Sequence, residues 1–200
     1  MLHKELKQQT ATLHQELEKK MHVNQITDRT LSLTDYRKLL VINYLVHYHY
    51  EKLIFDALSP ATAIKLDLRQ RTKLSAIQAD LGSQHIAPQN LINTFTISPA
   101  RLPTEAFALG AMYVLEGATL GGAVIAKQLR ANPNFPAKMT LAYYACYGTK
   151  LIPNWQAFLA VLEGIAEHDH PQVIRGAEYL FSEILALVTT VENLTVGKGH

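Results

Sequence analysis

The chain has 200 residues, 48% of them apolar, which is enough for one sizeable core and calls for no second one; residues 1–200 are expected to form a single domain. Its 19 basic and 17 acidic residues leave a formal charge of +2 and form no long run of one sign, so nothing calls for nucleic acid or an anionic membrane, and a small partner is indicated. Cys146 is the single cysteine, which excludes an internal disulfide and a cysteine-held metal cluster within one chain and suits a reducing compartment.

Apolar residues recur at helical spacing through most of the chain, while Pro and Gly fall mainly between the periodic segments, so the fold class is all-α. A first helix is predicted over about residues 2–22. Its start, Met1-Leu2-His3-Lys4-Glu5, is polar and has no apolar stretch of signal-peptide type, so the cytoplasm is the expected location. A second helix follows the cap signals Ser32 and Thr34 and runs to about Leu58; a third spans Asp67 to Leu81, ahead of Gly82. A loop-rich stretch then leads to Pro103. Thr104 can cap a long apolar helix reaching about Arg130, where Asn132-Pro133-Asn134-Phe135-Pro136 breaks it. Further helices are predicted near residues 138–151, 154–167 and 171–193, separated by Pro153 and by His168-Asp169-His170-Pro171. No apolar stretch approaches the ~20 residues of a membrane-spanning helix, and the terminal Val196–His200 does not read as an anchor.

Two constellations carry chemistry. In the first helix, Leu6, Leu13, Leu17 and Met21 form one apolar stripe, and His14 lies at its edge with Lys7 and Glu18 on the same flank. An axial haem ligand needs those parts: a neutral imidazole facing a dry pocket, a partner that fixes its tautomer, and a cation for a propionate. The alternative is a boundary histidine whose neighbours Lys7 and Glu18 belong to a solvated face.

The long helix holds Gly110, Gly117, Gly121 and Gly122 where alanine would be better by about 1 kcal/mol each. Gly110, Gly117 and Gly121 fall on one side of the helical wheel and bare its backbone, on which a flat ligand could lie; a small-residue seam for close helix packing is the competing explanation. The adjacent pair Gly121-Gly122 favours a ligand, because it also weakens the helix and permits a kink.

Together the two segments resemble the haem oxygenase family. Thr10-Ala11-Thr12-Leu13-His14-Gln15-Glu16-Leu17-Glu18 is similar to its proximal-histidine segment, and Tyr113-Val114-Leu115-Glu116-Gly117-Ala118-Thr119-Leu120-Gly121-Gly122 to its distal helix, in the bacterial form that often accompanies bacteriophytochromes. The resemblance covers nearly the whole chain. It implies an all-α helical bundle holding haem between the first helix and the glycine-rich helix, with His14 as the iron ligand and Glu18 as its partner. Gly117 and Gly121 would be the backbone crowding the distal face, in a pocket wall that also includes Tyr113, Ala118 and Gly122. Lys7 and Lys127 would be candidates for the propionates. Haem would be both cofactor and substrate, cleaved with molecular oxygen to biliverdin, carbon monoxide and iron. Electrons would come from a ferredoxin, a flavodoxin or a flavin reductase, since the chain has neither a dinucleotide fingerprint nor a cysteine cluster. A bilin-binding photoreceptor is a possible recipient of the product.

Two positions depart from the animal-type pattern. Ala118 stands where those relatives carry an Asp that organises water, and Trp155-Gln156-Ala157-Phe158-Leu159-Ala160-Val161-Leu162 lacks their basic pair, with Lys150 or Arg175 as possible substitutes. These departures motivate one rival, a haem carrier or sensor without oxygenase activity. Another is a non-haem di-iron oxidase with ligands among His47, His49, Glu51, Glu167, His168, Asp169 and His170, although only Glu167 and His170 have the Glu-x-x-His spacing such sites repeat. His47, Tyr48, His49 and Tyr50 alternate too quickly to share one helical face and otherwise read as packing or surface groups. Cys146, between aromatic neighbours, reads as a small core residue.

Overall fold

A computed structural model describes residues 1–196, and among them it contains helices and no strand. The last four residues of the segment tested as an anchor lie outside the described residues. The all-α expectation holds; several helix boundaries do not.

The predicted first helix is two helices, α1 (Leu2–Gln9) and α2 (Ala11–Lys20), joined at Thr10. Thr10 is buried and its hydroxyl donates to the Leu6 carbonyl at 2.8 Å, closing α1. A short α3 (Val23–Thr27) follows. Ser32 caps α4 (Leu33–Val46) by accepting the Asp35 amide, as its sequence signal predicts. The helix widens into a π-turn over His47–Glu51 and continues as α5 (Lys52–Asp56). Ser59 caps α6 (Pro60–Leu66), which has Pro60 in its first turn.

The helix expected from Asp67 starts later, as α7 (Leu74–Ser83). Asp67 adopts a left-handed conformation, and Arg71 and Lys73 turn inward to Glu116, so tertiary ion pairing holds residues 67–73 out of the helix. Within the stretch read as loop lies α8 (Pro88–Thr94). Thr104 accepts the Phe107 amide and opens α9 (Glu105–Arg130). The helix expected near 138–151 is instead a chain of turns: the amides of Ala142 and Tyr143 donate to the buried carboxylate of Asp80, at 2.8 and 2.9 Å, rather than up a helix. Then come α10 (Leu151–Glu163), with Pro153 inside its first turn rather than before it, and α11 (His170–Val196).

The core is the α9–α11 pair, flanked by α4. A Cβ at Gly110 would lie 1.8 Å from the Val173 carbonyl oxygen, and one at Gly176 1.9 Å from that of Phe107, so the two backbones touch through reciprocal glycines. By length and composition α9 is apolar enough to cross a membrane, contrary to the sequence expectation, but half of its most apolar stretch is buried against the fold. Around the pair, α1 packs on α10 and α11, α2 on α11, α3 on α9, and α7 on α4.

Candidate active site

Between α1–α2 and α9 lies a cavity of about 620 Å³, within the ~300–1,000 Å³ range of cofactor sites. Of the residues singled out in the sequence, Lys7, His14, Glu18, Tyr113, Gly117, Ala118 and Gly121 line it. His14 is 56% exposed in its side chain; its Nδ1 lies 3.6 Å from the Glu18 carboxylate, and its ring meets the edge of Phe181 at 6.0 Å. The α2 apolar stripe, Leu13, Leu17 and Met21, is only partly buried, with Leu17 and Met21 directly on the cavity.

The glycines divide by role. A Cβ at Gly117 would meet nothing within 4 Å, and one at Gly121 only the tip of Ile125 at 3.8 Å, so bare backbone faces open space there. Gly110 belongs to the α9–α11 seam and corrects the three-glycine strip to two. Gly122 is also corrected: it is buried and absent from the lining, and its Cβ would lie 2.6 Å from the Tyr144 carbonyl oxygen, so it is small for backbone contact. No break interrupts α9 at the pair.

Lys127 is exposed in the last turn of α9 and does not line the cavity; a cation there suits the negative end of the helix dipole. Lys150 and Arg175 are exposed and outside the lining too. Among the described residues, the lysine or arginine on the cavity is Lys7, one turn from His3, whose ring packs against Tyr113 at 5.9 Å and Trp155 at 5.7 Å.

The sequence pointed to His47 and Glu51 only as di-iron candidates or packing groups, and gave no sign of the wall formed by α4 and the turns after α9. Asn43, His47 and Tyr143 all line the cavity there. His47 is 2% exposed, and its Nδ1 lies 2.7 Å from Glu51, also buried. The visible signal was the i, i+4 spacing of His47 and Glu51, obscured by the alternating aromatics around them. Behind this wall Glu116 accepts Arg71, the Lys73 ammonium at 2.8 Å and the Tyr147 hydroxyl at 2.8 Å, all buried. Burial holds the Tyr113 and Tyr143 hydroxyls above their ordinary pKa, so both stay protonated at neutral pH.

Among the described residues no three His, Cys, Asp or Glu side chains gather closely enough to hold a metal ion, so the ligands named for the di-iron alternative are not brought together; His168 and Asp169 sit on the surface. What the cavity can accept is a flat ligand against the α9 backbone. It has one imidazole on the α2 side, no side chain at Gly117 and Gly121, and one ammonium for an acidic substituent. These residues fit a haem.

The family model for heme oxygenase matches residues 1–189, and the chain belongs to the haem oxygenase family. Solved structures agree in fold. Heme oxygenase from Neisseria meningitidis, studied with NO and CO bound, superposes with a TM-score of 0.73 at 20% identity over 96% of this chain and 92% of that one. The enzyme from Leptospira interrogans gives 0.73 at 13% identity, over 94% and 98%. Heme oxygenase-1 from Synechocystis sp. PCC6803, in complex with heme, gives 0.72 at 16% identity, over 98% and 94%. No protein of curated function matches the chain. Its activity is that of the family: oxidative, oxygen-dependent degradation of haem, which serves as both cofactor and substrate.

Proposed function

We propose that His14 is the residue that would hold the haem iron and that the α9 backbone at Gly117 and Gly121 would form the opposite wall of its site. The observation carrying this reading is that a single cavity joins the His14 imidazole to those two side-chain-free positions, about a hundred residues away in sequence. Haem, when bound, supplies the redox centre and the ring that is opened.

The protein's part is orientation and proton supply. Glu18, whose carboxylate lies 3.6 Å from His14 Nδ1, flanks that side of the ring, so Nε2 would be the nitrogen offered to the haem. Lys7 would pair with a propionate, and Tyr113 lines the same cavity from α9. Gly117 and Gly121 let the ring and a small ligand approach the helix, while Leu17, Met21 and Ile125 keep water from the ring faces. Electrons come from an external ferredoxin, flavodoxin or flavin reductase. The cytoplasm is the proposed location. Kinship with the bacteriophytochrome-associated members, whose product feeds a bilin-binding photoreceptor, rests on the motif form Tyr113–Gly122.

Titration with ferric haem tests the assignment. The wild type is expected to saturate at one equivalent with a Soret band that decays to biliverdin absorption when reductant and air are supplied. His14→Ala is expected to lose the axial ligand and turnover. An unchanged ferric spectrum in that variant overturns the ligand assignment, and a persistent Soret band in the wild type favours a carrier.

A further inference from the structure

Behind the cavity lies a buried group of charges that haem binding leaves unused. Residues 67–73 run over the surface after α6, with Asp67 left-handed and Asp67, Arg69, Gln70 and Thr72 exposed. Arg71 and Lys73 turn inward instead and are 2% and 1% exposed. A cation so deep is almost never found without partners, and a buried ion pair adds little stability by itself, because desolvation offsets the attraction. What such a group can fix is the arrangement of the segments that meet on it.

The segments held by these two side chains carry residues of the cavity wall. Arg71 donates through Nη1 to Glu116, through Nη2 to the Asn154 carbonyl at 2.9 Å and through Nε to the Leu66 carbonyl at 2.6 Å. Glu116 directly precedes Gly117, and Asn154 directly precedes Trp155; Gly117 and Trp155 line the cavity from α9 and α10. The Lys73 ammonium donates to Glu116 at 2.8 Å and to the Tyr147 hydroxyl at 3.0 Å, in the turns that bring Tyr143 and Tyr144 to the cavity. Close backbone contacts secure α9 on either side of this point, at Gly110 against α11 and at Gly122 against Tyr144. Between them, at Gly117, a Cβ would meet nothing within 4 Å, so no packing on that face sets the depth of the helix. The rigid guanidinium fork can set it, since its donors point in fixed directions and a shift of α9 relative to α10 breaks one of its bonds.

We propose that Arg71 is a positioning residue: it holds α9 at Glu116 and α10 at Asn154 in one fork, and so sets how closely Gly117 and Trp155 approach the bound ring. Arg71 is absent from the lining and acts through those two neighbours. Lys73 completes the charge balance, the two cations standing against Glu116 and Glu51. The inference rests on the reading of the cavity as the haem site, and its tests separate the two.

Two variants separate position from stability. Arg71→Lys keeps the charge and loses the fork. Arg71→Met combined with Glu116→Gln removes one charge of each sign, so it is expected to fold even where Arg71→Met alone leaves a buried charge unbalanced and does not. The first measurement needs no haem: Trp155 is the only tryptophan, and acrylamide is expected to quench its fluorescence more readily in both variants than in the wild type. Wild-type quenching in both overturns the tie to α10. The second uses protein shown by its Soret band to bind one equivalent of haem. Both variants are expected to shift or broaden the C–O stretching band of the ferrous carbon monoxide complex, and to slow biliverdin formation at saturating haem on the order of tenfold or more. A wild-type band and rate in folded Arg71→Lys overturn the proposal whatever its stability, as does a double variant in which stability and rate recover together. Failure of the wild type to bind haem would remove the reading of the cavity instead, and the quenching measurement then decides the role of Arg71, as it does for any variant that binds none.

Discussion

Glycine in a helix interior costs about 1 kcal/mol relative to alanine, and at Gly117 the fold offers nothing in return, since a Cβ there would touch no atom within 4 Å. Gly117→Ala is therefore expected to stabilise the haem-free protein by about that amount while weakening haem binding and turnover, because the new methyl enters the cavity. Gly110→Ala should do the reverse. Its Cβ would sit 1.8 Å from the Val173 carbonyl, and the forced separation of α9 from α11 is expected to cost at least about 1–3 kcal/mol. Denaturant unfolding of both variants without haem checks the pair; equal destabilisation would mean that Gly117 serves packing after all. The two glycines share one side of the helical wheel, so sequence spacing alone could not separate them. The difference lies in what stands opposite, which only the tertiary fold supplies.

Helix α1 carries Lys7 and His3 to the cavity, and its first amides are held by a distant carboxylate: those of Leu2 and His3 donate to Glu163 at 2.9 and 3.0 Å. Burial pushes the Glu163 pKa up, but the His3 and Leu2 amides, helped by the N-terminal ammonium, outweigh it together and leave it below the ordinary 4.5. A folded-state pKa below the unfolded one gives a contribution fully present above about pH 4.5 and lost as pH falls through the depressed value. The docking of α1 is thus expected to loosen on the acid side. Trp155, the only tryptophan, packs its ring 5.7 Å from that of His3 and reports the event by fluorescence. Glu163→Gln should remove the acid transition; an unaltered transition in that variant would discount the contact. Elements set by local rules were legible in the sequence: the caps Ser32 and Thr104, the long apolar helix, the amphipathic stripe around His14. Elements set by distant partners were not. The late start of α7 goes with Glu116 drawing in Arg71 and Lys73, and the missing helix near Tyr143 with amides given to Asp80. The same holds for the site: His14, Glu18 and Gly117 lie in motifs, whereas His47 stands on the cavity beside Tyr143 and Asn43, which fold topology brings to it.

At the scale of the molecule the cavity divides the fold into unequal walls. The α9–α11 pair is buried where the two helices meet, with Leu109, Met112, Val173, Ala177 and Leu180 almost fully enclosed. The opposing wall, α2, has no fully buried residue, and its apolar side chains Leu13, Leu17 and Met21 stay half-exposed on or beside the cavity. A haem seated against His14 would cover Leu17 and Met21, adding apolar burial worth about 25 cal/mol per Å² to the element that has least of it. Ligand binding stabilises the folded state by about 2.7 kcal/mol at a free haem concentration of 100 Kd, and that gain should fall unevenly. Hydrogen exchange is expected to show the amides of α2 opening far more readily than those of α9 in haem-free protein, because local opening free energy follows local burial. On addition of one equivalent of haem, protection should rise most over residues 11–20 and least over the α9–α11 seam, with Thr10 marking the boundary. In His14→Ala the rise over α2 should shrink while the seam is unchanged. Uniform protection across all helices would mean instead that haem acts on the whole fold as one cooperative unit, and that α2 is no weaker than the core it faces.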